Sequence, residues 1–167
     1  GSYAATGMTD GQYNVAVGQQ ALQENTQGDE NVAIGYYSLY NTNPTANSGD
    51  NVAVGSQTGF TNTTGIRNVF VGHKAGYANT TASNNIFIGR EAGVANTTGT
   101  ANVAVGMRAL DANTVGNYNT AMGQEALGAN VHGDYNVAVG YNALYTSAPA
   151  DNTGKNVAVG AQALKAV

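Results

Sequence analysis

The sequence contains no cysteine, which excludes a disulfide framework, a thiolate metal site and a thiol nucleophile. It also lacks tryptophan and has only two prolines. Charged residues are 10% of the 167 positions, against about 25% in an ordinary globular protein. The formal net charge is -4. A nucleic-acid surface needs a basic patch, and six scattered Lys and Arg do not form one. No run approaches the ~18 apolar residues of a membrane-spanning helix, so membrane insertion is not expected, and no leader pattern is read at the start. The length suits one domain.

Abundance lies elsewhere, in 23 glycines and 22 asparagines. Their order along the chain is periodic. The string Asn-Val-Ala-Val-Gly, or a close variant, begins at Asn14, Asn31, Asn51, Asn68, Asn85, Asn102, Asn119, Asn136 and Asn156. The spacing is 17 residues, with 20 after Asn31 and Asn136. Residues 1–13 keep the same phase, so the chain reads as one repeat domain over 1–167, a partial repeat followed by nine copies. Internal repetition of this kind signals a stacked architecture.

Each repeat position has a physical reading. Positions 2 and 4 are β-branched or apolar and position 3 is small, an alternation of period 2 that predicts a short strand. Position 5 is glycine in every copy (Gly18, Gly35, Gly55, Gly72, Gly89, Gly106, Gly123, Gly140 and Gly160). A glycine there marks a turn needing positive φ or close backbone approach. Asn at position 12 and the Thr-x-Gly that follows are turn chemistry. A period of 17 is too short for a helix pair but fits one coil of an all-β parallel solenoid. Stacked at ~4.8 Å, ten such rungs make a rod ~45 Å long. The asparagines of positions 1 and 12 are expected to hydrogen-bond along the rod as ladders. Burial of two Val, one or two Ala and a Leu per rung is little for a lone chain. Association of chains around the small position 3 is the expected remedy. Neither the first nor the last coil has a polar cap, so each end is expected to present an open strand edge.

Departures from the consensus carry information. The two longer copies share one insertion, after Leu39-Tyr40 and after Leu144-Tyr145, each with a proline, Pro44 and Pro149. Such insertions fall on one face of a solenoid as loop bulges. Position 9 is Leu except in three consecutive copies, where it is Gly59, Gly76 and Gly93, followed by Phe60, Tyr77 and Val94. Two of these copies have Phe at position 3, Phe70 and Phe87. The pattern predicts volume exchange in a packed core, with a stacked-aromatic ligand site as the alternative.

Catalytic constellations are sparse. His73 and His132 occupy different repeat positions with no ligand partner at metal spacing. Asp29, Glu30, Asp50, Asp134 and Asp151 precede motif asparagines and could offer oxygen ligands to Ca²⁺. A solvated turn is the alternative, and no cofactor is expected. Glycines follow the repeat rather than a phosphate-binding fingerprint, and no enzyme activity is expected. Three Asn-Thr-Thr sequons at Asn62, Asn79 and Asn96 follow the repeat. Thr26, Thr63, Thr80, Thr97 and Thr114 form a file at position 13, the kind of regular face found on ice-binding solenoids. Ten tyrosines are concentrated at a few positions. Tyr40, Tyr77 and Tyr145 share position 10, and Tyr36 and Tyr141 share position 6. Tyr with Asn suits an adaptable contact surface for glycans or partner proteins, and these five are the candidate contact residues.

At Asn-Val-Ala-Val-Gly-x-x-Ala the chain resembles the head repeat of YadA-like trimeric autotransporter adhesins. The unit Asn102 to Tyr118 also looks like repeats of phage-type tail fibres. The resemblance covers 14–167; the period departs from it, since the adhesin repeat is nearer 14 residues. It implies a left-handed β-roll assembled as a homotrimer, outside the cell or on a virion. The functional expectation is a structural and adhesive extracellular fibre segment that displays a repeated surface, its partners being itself and surface glycans or host-surface proteins. A self-assembling end-to-end filament without dedicated ligand, and an ice-binding β-solenoid, are the alternatives.

Overall fold

The computed structural model describes residues 1–44, 48–145 and 154–165. Nine three-residue strands follow the nine motifs: β1 (Val15–Val17), β2 (Val32–Ile34), β3 (Val52–Val54), β4 (Val69–Val71), β5 (Ile86–Ile88), β6 (Val103–Val105), β7 (Thr120–Met122), β8 (Val137–Val139) and β9 (Val157–Val159). They form one parallel sheet in sequence order. Every neighbour pair is in register, position against identical position, as in Val15 with Val32 and Val137 with Val157. Each repeat is therefore one coil of a β-solenoid. The 20-residue copies return to the same register, so their extra residues are absorbed outside the strand. Pro44 of the first insertion is buried against Gly28 of the preceding coil, and Pro149 lies outside the described residues.

Side-chain direction departs from expectation. Position 3 points inward, as Ala33, Ala53, Ala104, Ala121 and Ala138, all fully buried. Positions 2 and 4 point outward. Val17 is 54% exposed and Ile88 38%. A strand alternates sides residue by residue, so burying the small middle residue puts both flanking valines outside. The core is instead filled by the alanines of positions 3 and 8 and the leucine of position 9. Association around position 3 is thereby ruled out, because that column is enclosed within its own chain.

The expected volume exchange is present, and of the two kinds of residue expected to take part only the phenylalanines do. Phe70 and Phe87 lie in the core, fully buried, their rings stacked 5.7 Å apart. A Cβ on Gly59 would stand 2.8 Å from the Phe70 ring, and one on Gly93 2.6 Å from the Phe87 ring. Glycine at position 9 thus vacates the space that phenylalanine at position 3 fills. Phe60, Tyr77 and Val94 do not replace lost core; they are half-buried on the outside.

Between strand and next strand the chain turns repeatedly. The N–H of position 8 bonds to the C=O of position 5, as Ala75 to Gly72 at 3.2 Å, and position 10 to position 7, as Tyr77 to Lys74 at 3.2 Å. Positive φ at the third residue marks such turns, and it recurs at positions 7, 9 and 17 of every coil, mostly on non-glycine residues such as Glu91, Leu110 and Tyr118. Each left-handed residue costs about 1–2 kcal/mol. Neighbouring coils offset it: Arg108 N–H bonds to Arg90 of the coil before, and Leu110 N–H to Ala126 of the coil after, both at 2.9 Å.

Replacement of Phe87 by Ala is expected to cost about 3–5 kcal/mol. Adding Gly93→Leu to Phe87→Ala recreates the Ala104 and Leu110 pairing of the next coil and is expected to recover more than half of that loss. Urea denaturation of parent, single and double variants measures both; a double variant weaker than the single would refute the exchange.

Candidate functional surface

Two buried asparagine ladders run along the inside. At position 1 each amide oxygen accepts from the next coil. Asn68 Oδ1 accepts from the Asn85 backbone N–H at 2.9 Å, and Asn85 Oδ1 from Asn102 at 2.9 Å. The series is continuous from Asn14 to Asn156. The amide nitrogen reaches across its own coil to the carbonyl of position 15, as Asn102 Nδ2 to Gly116 at 2.8 Å. At position 12 Asn96 donates to Asn79 Oδ1 at 3.1 Å and to the Gly99 carbonyl at 3.0 Å, and Asn113 donates to Asn96 Oδ1 at 2.7 Å. Thr42 takes the place in the longer second copy and accepts from Asn62 at 3.3 Å. The sequon asparagines Asn62, Asn79 and Asn96 belong to this ladder and are fully buried, so their amides are not accessible acceptors for glycosylation.

Position 5 forms a column of close approach. Gly106 has φ +140, and a Cβ there would lie 2.5 Å from the Gly123 carbonyl oxygen of the next coil. A side chain would force the coils apart.

A third ladder escaped the sequence reading. At position 16 a polar side chain accepts the N–H of position 16 one coil earlier: Gln12 N–H to Asp29 and Asn117 N–H to Asp134, both 2.6 Å, and Thr100 N–H to Asn117 at 2.8 Å. Ser83 does the same for Ile66. The signal was a column of Asp, Ser, Thr and Asn, all short acceptors, at one repeat position. Two of the carboxylates considered for Ca²⁺ are thus engaged by the backbone. Asp29, Glu30 and Asp50 line a cavity of about 170 Å³ with Gln12, Tyr13, Ser48 and Gly49. There a hydrogen bond to Asp50 and the charge of that carboxylate hold Glu30 above the usual carboxylate range. Among the described residues no group of three or more His, Cys, Asp or Glu is placed to hold a metal ion. Asp151 lies outside them.

The tyrosines separate into groups. Tyr36, Tyr37, Tyr40, Phe60 and Tyr77 make one aromatic patch on coils 2 to 4. Tyr40 and Phe60 stack at 5.4 Å, Phe60 and Tyr77 at 5.3 Å, and Tyr37 bridges to Tyr36 at 4.3 Å. Lys74 Nζ lies 5.6 Å from the Tyr77 ring. Sequence spacing gave Tyr40 and Tyr77 through their shared position, and Tyr36; Tyr37 was missed, because its position 7 holds mainly polar residues in other coils. Tyr141 and Tyr145 sit six coils further on, so the candidate residues form two sites rather than one. The Tyr145 ring packs against Gly128, where a Cβ would stand 2.8 Å from it. Tyr118 and Tyr135 stack at 4.9 Å beside the strands.

Charge is organised as a column at position 7. Arg108 lies between Glu91, at 3.4 Å, and Glu125, at 3.8 Å, and also reaches Asp111 at 3.6 Å. Glu91 and Glu125, two repeats apart in sequence, are thereby joined through one guanidinium. Burial pushes the Asp111 carboxyl above the usual carboxylate range, against the pull of Arg108. His73 and His132 are exposed on different sides of the coil. The Thr file is occupied: Thr80 and Thr97 hydroxyls donate to the Thr97 and Thr114 carbonyls at 3.0 and 2.9 Å.

No known protein family, curated protein or solved structure matches the chain.

Two outcomes follow from these contacts. Asn96→Ala removes the acceptor of one buried Asn113 amide N–H, while the other goes to Gly116, and removes one of two donors to the Asn79 oxygen and to the Gly99 carbonyl, which keep Asn85; at about 1–3 kcal/mol for an orphaned group, a loss of that size in urea denaturation is expected, with Thr98→Ala near zero. Asp111 has a raised folded-state pKa, so its contribution is fully present at low pH and is lost as pH rises through that value. Asp111→Asn removes this loss and is expected to raise the urea midpoint at pH 7, with the difference gone in acid below the carboxylate range. A midpoint lowered at pH 7 would show that the Arg108 contact outweighs burial.

Proposed function

We propose that the chain is a stiff segment of an extracellular fibre with a structural and adhesive role, assembled with copies of itself as a homotrimer of left-handed β-rolls. The observation that carries the reading is the unbroken in-register stack. Nine in-register three-residue strands and a full-length internal Asn ladder make a rod of repeated surface, about 40 Å long at the interstrand spacing. Such a scaffold suits display and spacing, and repeated weak contacts along it give avidity without a deep pocket. The trimer and the extracellular setting come from the likeness of the pentapeptide motif to trimeric adhesin and tail-fibre repeats. The outward valine columns support self-association, since contiguous exposed apolar strips mark interaction sites.

The ligand-facing surface in this reading is the tyrosine set, Tyr36 and Tyr40 with Tyr77 at one end and Tyr141 with Tyr145 at the other. Tyr36 and Tyr141 are close to half exposed, and rings with amide neighbours suit saccharides or host-surface proteins. Light scattering on a sizing column is expected to give a mass near three chains. A glycan array and a panel of host-surface proteins are expected to show binding that Tyr36→Ala with Tyr141→Ala abolishes. A trimer that binds nothing on either panel removes the adhesive half of the reading; a monomer removes the trimer.

A further inference from the structure

Tyrosine holds the same repeat position in two successive coils at one place only, Tyr118 and Tyr135 at position 17. Both residues are left-handed with φ 57°, so their side chains leave the backbone in one direction. The Tyr118 N–H bonds to Thr100 at 3.1 Å and the Tyr135 N–H to Asn117 at 3.0 Å, which fixes the two backbones one rung apart. The rings lie 4.9 Å apart and within 8° of parallel. Tyr118 is 54% and Tyr135 52% exposed, so an oxidant in solution reaches both. The other close tyrosines are arranged differently. Phe60 stands between the phenols of Tyr40 and Tyr77. Tyr36 meets Tyr37 at 90° and Tyr37 meets Tyr40 at 52°. Among the described residues, Tyr118 and Tyr135 are the one pair of phenols stacked face to face.

We propose that Tyr118 and Tyr135 form an oxidative cross-linking site, at which a haem peroxidase with hydrogen peroxide joins two adjacent coils through a dityrosine bond. The site needs only the stacked coils of one chain and does not rest on the fibre reading. Each phenol gives up one electron and its hydroxyl proton, leaving a phenoxyl radical whose unpaired spin is shared with the carbons ortho to the oxygen. An ortho carbon of Tyr118 bonds to an ortho carbon of Tyr135. The hydrogen on each of these carbons then moves to the oxygen of its own ring, which restores both aromatic rings and both hydroxyls. The two electrons and two protons reduce one hydrogen peroxide to two waters, so the chain loses two hydrogen atoms. Geometry selects the partner. Radicals on separate molecules must meet by diffusion, whereas these rings stand side by side, and holding two reactants together makes their coupling effectively unimolecular. Exposed side chains reorient within nanoseconds, so the rings can tilt out of the stack and bring their ortho carbons together. The bond closes a loop between residues 17 apart in sequence. Such a closure restricts the unfolded chain as a disulfide does, in a sequence with no cysteine to make one.

The test treats the purified chain with a haem peroxidase and hydrogen peroxide and reads dityrosine by its fluorescence and by mass. The main product is expected to be a single chain lighter by two hydrogen atoms. Cleavage after glutamate cuts at Glu125, between the two tyrosines. It is expected to leave 92–125, whose one tyrosine is Tyr118, bound to 126–167. Tyr118→Phe and Tyr135→Phe each keep a stacked ring but remove a phenol, and each is expected to abolish that linked peptide. The oxidised parent is expected to unfold at a higher urea concentration than the untreated chain, and oxidised Tyr135→Phe is expected to show no such rise. Dityrosine found among Tyr36, Tyr37 and Tyr40 instead, chains joined in pairs at doubled mass in place of the single-chain product, or an unlinked chain in a mixture that couples free tyrosine, overturns the site. A linked chain with an unchanged urea midpoint overturns the tie between coils.

Discussion

The carboxamide of asparagine is both donor and acceptor, and this is the constraint on which the rest depends. A buried amide must satisfy two N–H groups and an oxygen. In a coil of 17 residues there is not enough local backbone to do so. The group one rung away supplies the remainder, and the simplest rung that can do it at every level is an identical one. Asn85 serves Asn102 as Asn68 serves Asn85. Each coil is therefore completed by its neighbour, and stability is a property of adjacent pairs. The same logic explains the register. A slip of one residue would set valines where asparagines must be and expose the alanine core.

Stacking of this kind also carries the cost of the turns. Three left-handed residues per coil, at positions 7, 9 and 17, would be untenable in an isolated loop, above all on leucine. They persist because the N–H of position 7 bonds to the coil before and that of position 9 to the coil after, so the conformation is held from both sides. The payoff is compactness. Consecutive tight turns bring Ala75, Gly76 and Asn79 to the inside of one coil within five residues, which no helix or extended strand would do. The core can then be made of alanine and leucine, and a phenylalanine enters only where glycine makes room.

Much of this was legible in the sequence. The 17-residue period, the strand at positions 2 to 4, the glycine column and both amide ladders can be read from repetition, because a residue type fixed at one position in every coil has one physical environment to explain. What repetition conceals is direction. Val-Ala-Val alternates equally well with the valines inside or outside, and only the enclosing volume decides. A coil this narrow has room for Ala33 but not for Val32 and Ile34 together. The side-chain caps at position 16 were hidden for a different reason. Asp29, Ser83, Asn117 and Asp134 differ in type and charge, and what they share is an oxygen at the same reach. Tyr37 joined the aromatic patch through a neighbour's ring rather than through its repeat position, so no column signalled it.

Direction also governs what the surface can be. With alanines inside and valines out, the sheet that closes the coil is the most apolar surface of the rod, while the turns carry hydroxyls, amides and the Arg108 network. The apolar columns and the polar turns thus lie on different sides of one coil by a single parity. Substitutions in the strand columns change the apolar stripe, and substitutions at positions 6, 7 and 10 change the aromatic and charged surface. The coil interior, held by amides paired to their copies, is largely insulated from both. A solenoid built this way can change its surface without changing its fold, because the residues that specify the coil and those that meet the outside occupy different repeat positions.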